Sequence, residues 1–325
     1  MEYNDPIYGT AAIAEPVLLD LLASAALERL KGVLQHGVTA LLQITKPITR
    51  YEHSVGVMLL VRRCGGGLRE QIAALLHDVS HTAFSHVIDH VFHDQGTQSY
   101  HERQKEWWLA RTDAPTVLSR HGLDWRDFID DEQFALLEQP LPRLCADRLD
   151  YFLRDGSGMG LLSTQEVRSV LAHLAVVEGR MAIDEPATAR FLGERFMAAD
   201  DRSWSNPREL VLYELAARAI RAALEHGILS ENDLWGTDAV LWDRLRNTGD
   251  REVAHWVQLT EARPDFVDDQ VAPTICIRPK VRAIDPDVVT AGGLRPLSQL
   301  DAVFRRQRED YVQRKAQGLS VRLIV

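Results

Sequence analysis

Between Ala73 and Asp89 the chain reads A-A-L-L-H-D-V-S-H-T-A-F-S-H-V-I-D, which sets His77, Asp78, His81, His86 and Asp89 directly behind an apolar run. Two hydrophilic residues in succession at the end of a buried helix lose hydration that something must offset. A bound cation would do so. Three imidazoles and two carboxylates are donors that borderline divalent metals accept. Adjacent His and Asp cannot share one helix face, yet at a helix C-terminus both can converge on one ion. Taken alone, a polar helix end with scattered histidines would look the same. A second stretch, R-L-C-A-D-R-L-D-Y-F-L-R-D, places Asp147, Tyr151 and Asp155 at i, i+4 and i+8, with Arg148 bordering them. One helix face then carries two carboxylates, a phenol and a guanidinium, while Leu144, Leu149, Phe152 and Leu153 lie off it. A solvated salt-bridge face has a similar pattern; the tyrosine and the apolar flanks turn this one toward a pocket.

The elements that must position these residues read as helices. Apolar spacing predicts a helix from Pro16 to about Gln35, stopped by Gly37, and a second opening at Tyr51. The second is apolar nearly all round and carries His53 at its N-terminal end. Gly65, Gly66 and Gly67 form a hinge, since no G-K-[ST] follows, and Leu68 to Leu76 delivers the His77-Asp78 pair. From Val91 to Gln139 the pattern stays helical but polar. His90, His93 and His121 read there as surface residues, and His101 beside Glu102 stays open. Ser163 with Glu166 predicts a capping box, Val176 to Ile183 a small hairpin, and Pro186 to Ala199 and Pro207 to His226 two more helices. Then follow a β-like run at Thr274 to Ile284, a helix from Leu297 to Lys315 and a strand-like end. The fold expected is mainly α, a helical bundle over residues 1–226 with a small hairpin, followed by an α+β accessory region over 227–325.

Composition bounds the function. At 325 residues and 46% hydrophobic, the chain can bury a substantial core. No apolar run approaches the roughly 20 residues of a membrane span, and M-E-Y-N-D-P lacks a secretion signal, so a cytoplasmic location is expected. Cys64, Cys145 and Cys276 lie far apart without a C-x-x-C pair, which argues against a disulfide framework and a thiolate zinc site. A formal net charge of -10 disfavours stable attachment to nucleic acid or acidic lipid. A local basic pocket for phosphate stays open.

His53, the His77-Asp78 doublet and Asp147 follow in the order H, HD, D. With R-Y-E-H-S-V-G-V-M, L-L-H-D-V-S-H-T-A-F-S-H-V-I-D and A-D-R-L-D-Y-F-L-R-D around them, the chain resembles the HD-domain superfamily of metal-dependent phosphohydrolases, in the branch containing the deoxynucleoside triphosphate triphosphohydrolases. The resemblance covers roughly residues 5 to 215. It implies an all-helical core in which His53, His77, Asp78 and Asp147 ligate a divalent metal. His81, His86, Asp89 and His101 would be catalytic, and Gln35, Arg50, Arg148, Tyr151 and Asp155 would contact substrate. Manganese, iron, magnesium, nickel and cobalt all suit two imidazoles and two carboxylates, and a second ion bridged through Asp78 is compatible. The implied partner is a small phosphate ester, a nucleotide, and a homo-oligomer is a family-level expectation.

Departures from the branch concern the substrate. A Gln-Leu pair that encloses the sugar in relatives is here Gln35-His36, a later tyrosine is Trp204, and G-H-G-P is Ser80-His81-Thr82-Ala83. A triphosphate-holding arginine has no clear counterpart; the candidates are Arg195, one place out of register, and Arg202. The leading expectation is hydrolysis of a deoxynucleoside triphosphate. The alternatives are a nucleotidase, another phosphomonoesterase or phosphodiesterase, and a noncatalytic nucleotide-binding module. An oxygenase needs two irons and extra ligands, which His81 and His86 could supply.

Overall fold

Every residue from His53 to Val61 of the Arg50–Arg63 helix is buried. The computed structural model, which describes residues 1–324, packs that helix between the Leu68–Leu76 and Ala146–Gly158 helices. Its start is a capping box: Thr49 Oγ1 accepts from Glu52 N at 3.1 Å, and Glu52 Oε2 accepts from Thr49 N at 2.8 Å. Burial on all sides leaves no room for a polar stripe, so His53 needs partners from its neighbours. Gly56, one turn on, lets them in: a Cβ there would lie 1.8 Å from Arg154 Nη2 and 2.2 Å from Asp150 Oδ1. The Leu68–Leu76 helix buries Ile72 through Leu76 against the same core and ends in His77. Beyond it, Phe84 and Ser85 take left-handed φ of 64° and 48°, a conformation such residues hold only when their surroundings impose it. Here Asp238 does so, accepting from Phe84 N at 2.8 Å and Leu34 N at 3.0 Å.

The hairpin forms from Leu174–Val177 and Arg180–Ile183, with Val176 opposite Met181 and Glu178 and Gly179 turning at positive φ. It does not end there. Ile183 pairs in parallel with Val288 of the Asp287–Thr290 strand, which pairs with Gly293–Pro296 to complete a four-stranded sheet. A three-stranded sheet joins Asp265–Asp268, Leu319–Ile324 and Ile275–Ile277. Packing therefore crosses the boundary expected near residue 227: Ile284, Val288, Phe304 and Tyr311 belong to the same buried cluster as Leu60, Leu75, Phe152 and Phe196.

Several expected elements are shorter than their patterns. The helix expected over Pro16 to Gln35 breaks into Pro16–Leu22, Ala25–Arg29 and one 3-10 turn. Ser24 caps the second piece, and Asp113, distant in sequence, accepts from Ala25 N at 2.7 Å and Ala26 N at 3.1 Å. Likewise Asp301 accepts from Val303 N and Phe304 N and splits the last helix at 301. The β-like run expected over Thr274 to Ile284 is a strand only at Ile275–Ile277; Pro279 cannot donate to a ladder, and residues 278–286 are irregular. An N-terminal hairpin, Glu2–Asp5 with Gly9–Ala12, gave no clear signal in sequence. His90 is buried rather than on the surface, its ring 3.3 Å from Glu214. Among the described residues no helix is long and apolar enough to cross a membrane.

Candidate active site

The three helices expected to carry the donors bring them together. His53 Nε2 lies 2.9 Å from Asp147 Oδ1, 3.2 Å from His77 Nε2 and 3.6 Å from Asp78 Oδ2; His77 Nε2 lies 3.5 Å from Asp78 Oδ1 and 3.6 Å from Asp147 Oδ1. The other nitrogen of each ring is committed. His53 Nδ1 meets Asp150 Oδ2 at 2.7 Å, and His77 Nδ1 donates to the Ala74 carbonyl at 2.7 Å. With those bonds made, the two Nε2 lone pairs face each other among carboxylates, an arrangement that demands positive charge. Bonds of about 2.1 Å to one ion give donor spacings of about 3.0 Å at right angles and about 3.4 Å at the tetrahedral angle. The observed spacings fit. Without a cation the cluster draws in a proton: burial would lower His53, but its hydrogen bonds to Asp147 and Asp150 push it up to about 10.

Asp150 is the residue that sequence reasoning missed here, because it sits off the Asp147-Tyr151-Asp155 stripe. It orients His53 and is itself held by Arg154 Nε at 2.8 Å, while Arg154 Nη2 donates to Asp5 at 2.7 Å. Such outer partners fix ring orientation and raise ligand basicity. Its signal in the sequence is Arg154 four residues later, a pair that lies off the polar face.

On the far side of Asp78 the histidines are differently placed. His81 Nε2 is 3.2 Å from Asp78 Oδ1 without hydrogen-bond alignment, and its ring stacks on His101 at 3.8 Å between centroids. His86 Nδ1 meets Asp89 Oδ2 at 2.9 Å, and Asp89 also accepts from Tyr100 N at 3.2 Å. Burial, reinforced by the Arg50 guanidinium, drops His81 to about 3. His86 and His101 also fall well below the usual imidazole range, through burial first and then Arg50 and His81 respectively. Burial raises Asp89 to about 6. Asp78, His81 and His101 also offer one donor atom each within a single cluster, so Asp78 stands between two candidate ion positions.

A cleft of about 510 Å³, within the range of small-molecule sites, opens over these residues. The expected contacts Gln35, Arg50, Arg148, Tyr151 and Asp155 all line it. Their partners differ. Arg50 is buried and donates to Asp78 at 2.6 Å and to Ser85 at 3.0 Å. Arg148 donates to Glu138 at 2.6 Å. Asp155 Oδ2 accepts from Trp204 Nε1 at 2.7 Å, and Oδ1 lies 3.0 Å from His36 Nε2 without hydrogen-bond alignment, so the two residues noted around the sugar position flank this carboxylate. Gln35 Oε1 is buried without a donor. Neither Arg195 nor Arg202 is in the cleft wall. Lys105, Lys280 and Arg282, unremarked in sequence, are; the last two come from the irregular segment that had the pattern of a strand.

Residues 50–155 match the HD domain family. The chain is 39% identical to a metal-dependent phosphohydrolase, cns2, of Cordyceps militaris, over 97% of this chain and 93% of that protein. It is 33% identical to the deoxynucleoside triphosphate triphosphohydrolase SAMHD1 of Danio rerio, over only 28% of this chain and 17% of that one. A crystal structure of a phosphohydrolase from Bacteroides thetaiotaomicron has the same fold, with a TM-score of 0.69 at 18% identity, covering 93% of this chain and 94% of that one.

Proposed function

Because the chain belongs to the HD-domain family of metal-dependent phosphohydrolases, we propose that it hydrolyses the phosphate ester of a nucleotide in the cleft above His77 and Asp147. The observation that carries this reading is the mutual approach of His53, His77, Asp78 and Asp147, each within 3.6 Å of another donor of the set. Those four side chains would hold one divalent ion, which when bound supplies Lewis acidity toward water and toward the phosphoryl oxygens. The donor set suits manganese, iron, magnesium, nickel or cobalt.

The remaining work falls to this chain's side chains. Asp150 and the Ala74 carbonyl keep both imidazoles turned with Nε2 inward. His86, whose Nδ1 meets Asp89, would protonate the leaving oxygen. A neutral imidazole in the free protein gains affinity for that proton once a phosphate dianion lies beside it. His81 and His101, whose ring centroids lie 5.2 Å and 5.7 Å from that of His86, would help to position the same oxygen. Gln35 Oε1, buried and without a donor, suits a sugar hydroxyl or a base amine, which supports a nucleotide over a smaller ester.

Assays across deoxynucleoside tri-, di- and monophosphates with each of several divalent metals test the reading. Metal-dependent release of triphosphate, as the Danio rerio relative's name describes for that protein, or of orthophosphate is expected. Absence of release with every metal, while nucleotides still bind, would replace the enzyme with a binding module.

A further inference from the structure

Five cationic side chains line the cleft: Arg50, Lys105, Arg148, Lys280 and Arg282. Three are neutralised by carboxylates of the protein. Arg50 pairs with Asp78, Lys105 with Asp131 and Arg148 with Glu138, each at 2.6 Å. Lys280 makes no hydrogen bond or ion pair among the described residues. Arg282 donates one Nη to the neutral amide of Gln98, and its Nη1 is buried with no partner. A buried guanidinium hydrogen without an acceptor is unfavourable, so the cleft is built for an anion that the protein does not provide. The segment bearing both residues is anchored at each end, before it by the pairing of Ile277 with Leu319 and after it by contacts of residues 283–285. Asp285 N donates to Pro142 O at 2.8 Å, and Ala283 and Ile284 are buried, with Arg308 donating to both their carbonyls.

The rim has the opposite sign. Glu102, Asp130 and Glu132 are exposed where they line the opening, and none forms an ion pair among the described residues. A chain of three phosphates reaching from the His77 and Asp147 region toward solvent would run against that charge, with no arginine of the Pro186–Arg202 helix to hold it. A single phosphate would need only the two cations without carboxylate partners and the candidate ion position, which share one cleft wall.

Resting on the reading of the site as a nucleotide phosphohydrolase, we infer that Lys280 and Arg282 form the phosphate clamp of the cleft, and that the substrate is a phosphate monoester with one dianionic phosphate rather than a triphosphate. The C-terminal region thus completes a pocket whose other charged and candidate metal-holding side chains lie before residue 156.

The test uses the full, metal-loaded chain and measures orthophosphate binding by calorimetry beside product release. Lys280→Gln and Arg282→Gln should each weaken orthophosphate binding by about tenfold or more with metal content unchanged, and Arg282→Lys should recover part of the loss. The unaltered protein should release orthophosphate from nucleoside monophosphates faster than any product from triphosphates. Unchanged orthophosphate affinity in both glutamine variants, or loss of metal with it, would overturn the clamp. Faster release of inorganic triphosphate would overturn the monoester while leaving nucleotide hydrolysis standing. Turnover of no ester with any metal would instead remove the enzymatic reading, and the binding measurement would still judge the clamp.

Discussion

On one side of Asp78, His53 and His77 each lock one ring nitrogen to a fixed partner and turn the other toward carboxylates. On the opposite side His81, His86 and His101 sit ring against ring, with Arg50 nearby and, among the described residues, Asp89 as their one carboxylate hydrogen-bond partner. Five buried or half-buried imidazoles thus divide by what surrounds them. Anionic neighbours with rigid outer bonds make the first pair a cation holder. Burial beside a guanidinium makes the second group neutral and suited to meet an anion. Asp78 belongs to both, and Arg50 limits its charge on the second side at 2.6 Å.

The division can be broken at its hinge. Asp78→Ala removes a donor of the first cluster and the partner of Arg50, so metal content by elemental analysis and turnover should vanish together; retention of the ion would separate Asp78 from the first cluster. Next in size, His86→Ala should leave metal content intact and reduce kcat by about 100- to 10,000-fold, whereas loss of the ion would merge the two groups into one. Asp150→Asn should weaken metal affinity by about 10- to 100-fold, measured by competition with a chelator, because His53 loses its orienting carboxylate. The acid limb of the pH profile is a finer probe. With Asp89 raised to about 6 by burial, the carboxylate that orients His86 is ionised above that value and neutral below it. Activity should therefore fall as pH drops through about 6, and Asp89→Asn should flatten that limb while lowering kcat. The smallest effect is expected outside the division: His121, paired with Asp20 near the surface at 2.9 Å, should cost less than about 1 kcal/mol in thermal unfolding when changed to alanine.

Much of the first cluster was readable without coordinates. His53, His77, Asp78 and Asp147 each stand at or near an end of a helix with an apolar body, and the apolar pattern determines whether one face or the whole of such a helix is buried. The stripe of Asp147, Tyr151 and Asp155 followed from the same periodicity, and all three line the cleft. Asp150 did not follow, since only the space above Gly56 explains why a carboxylate and Arg154 enter the core there. His90 has the local pattern of a surface residue because its partner, Glu214, is distant in sequence.

The residues of the C-terminal segment mark the limit. Local pattern gave Thr274 to Ile284 the alternation of a strand, and nothing local to it pointed to a cleft formed by helices far earlier in the chain. By itself the sequence determined the donor types, the helices that bear them and the burial of their apolar faces, because those depend on neighbours a few residues apart. Tertiary structure alone decided that Lys280 and Arg282 stand in the cleft without carboxylate partners, and that His36 and Trp204 flank Asp155. Pairing between charges depends on which distant segments meet, and the free energy of that meeting is not written in the spacing of either one.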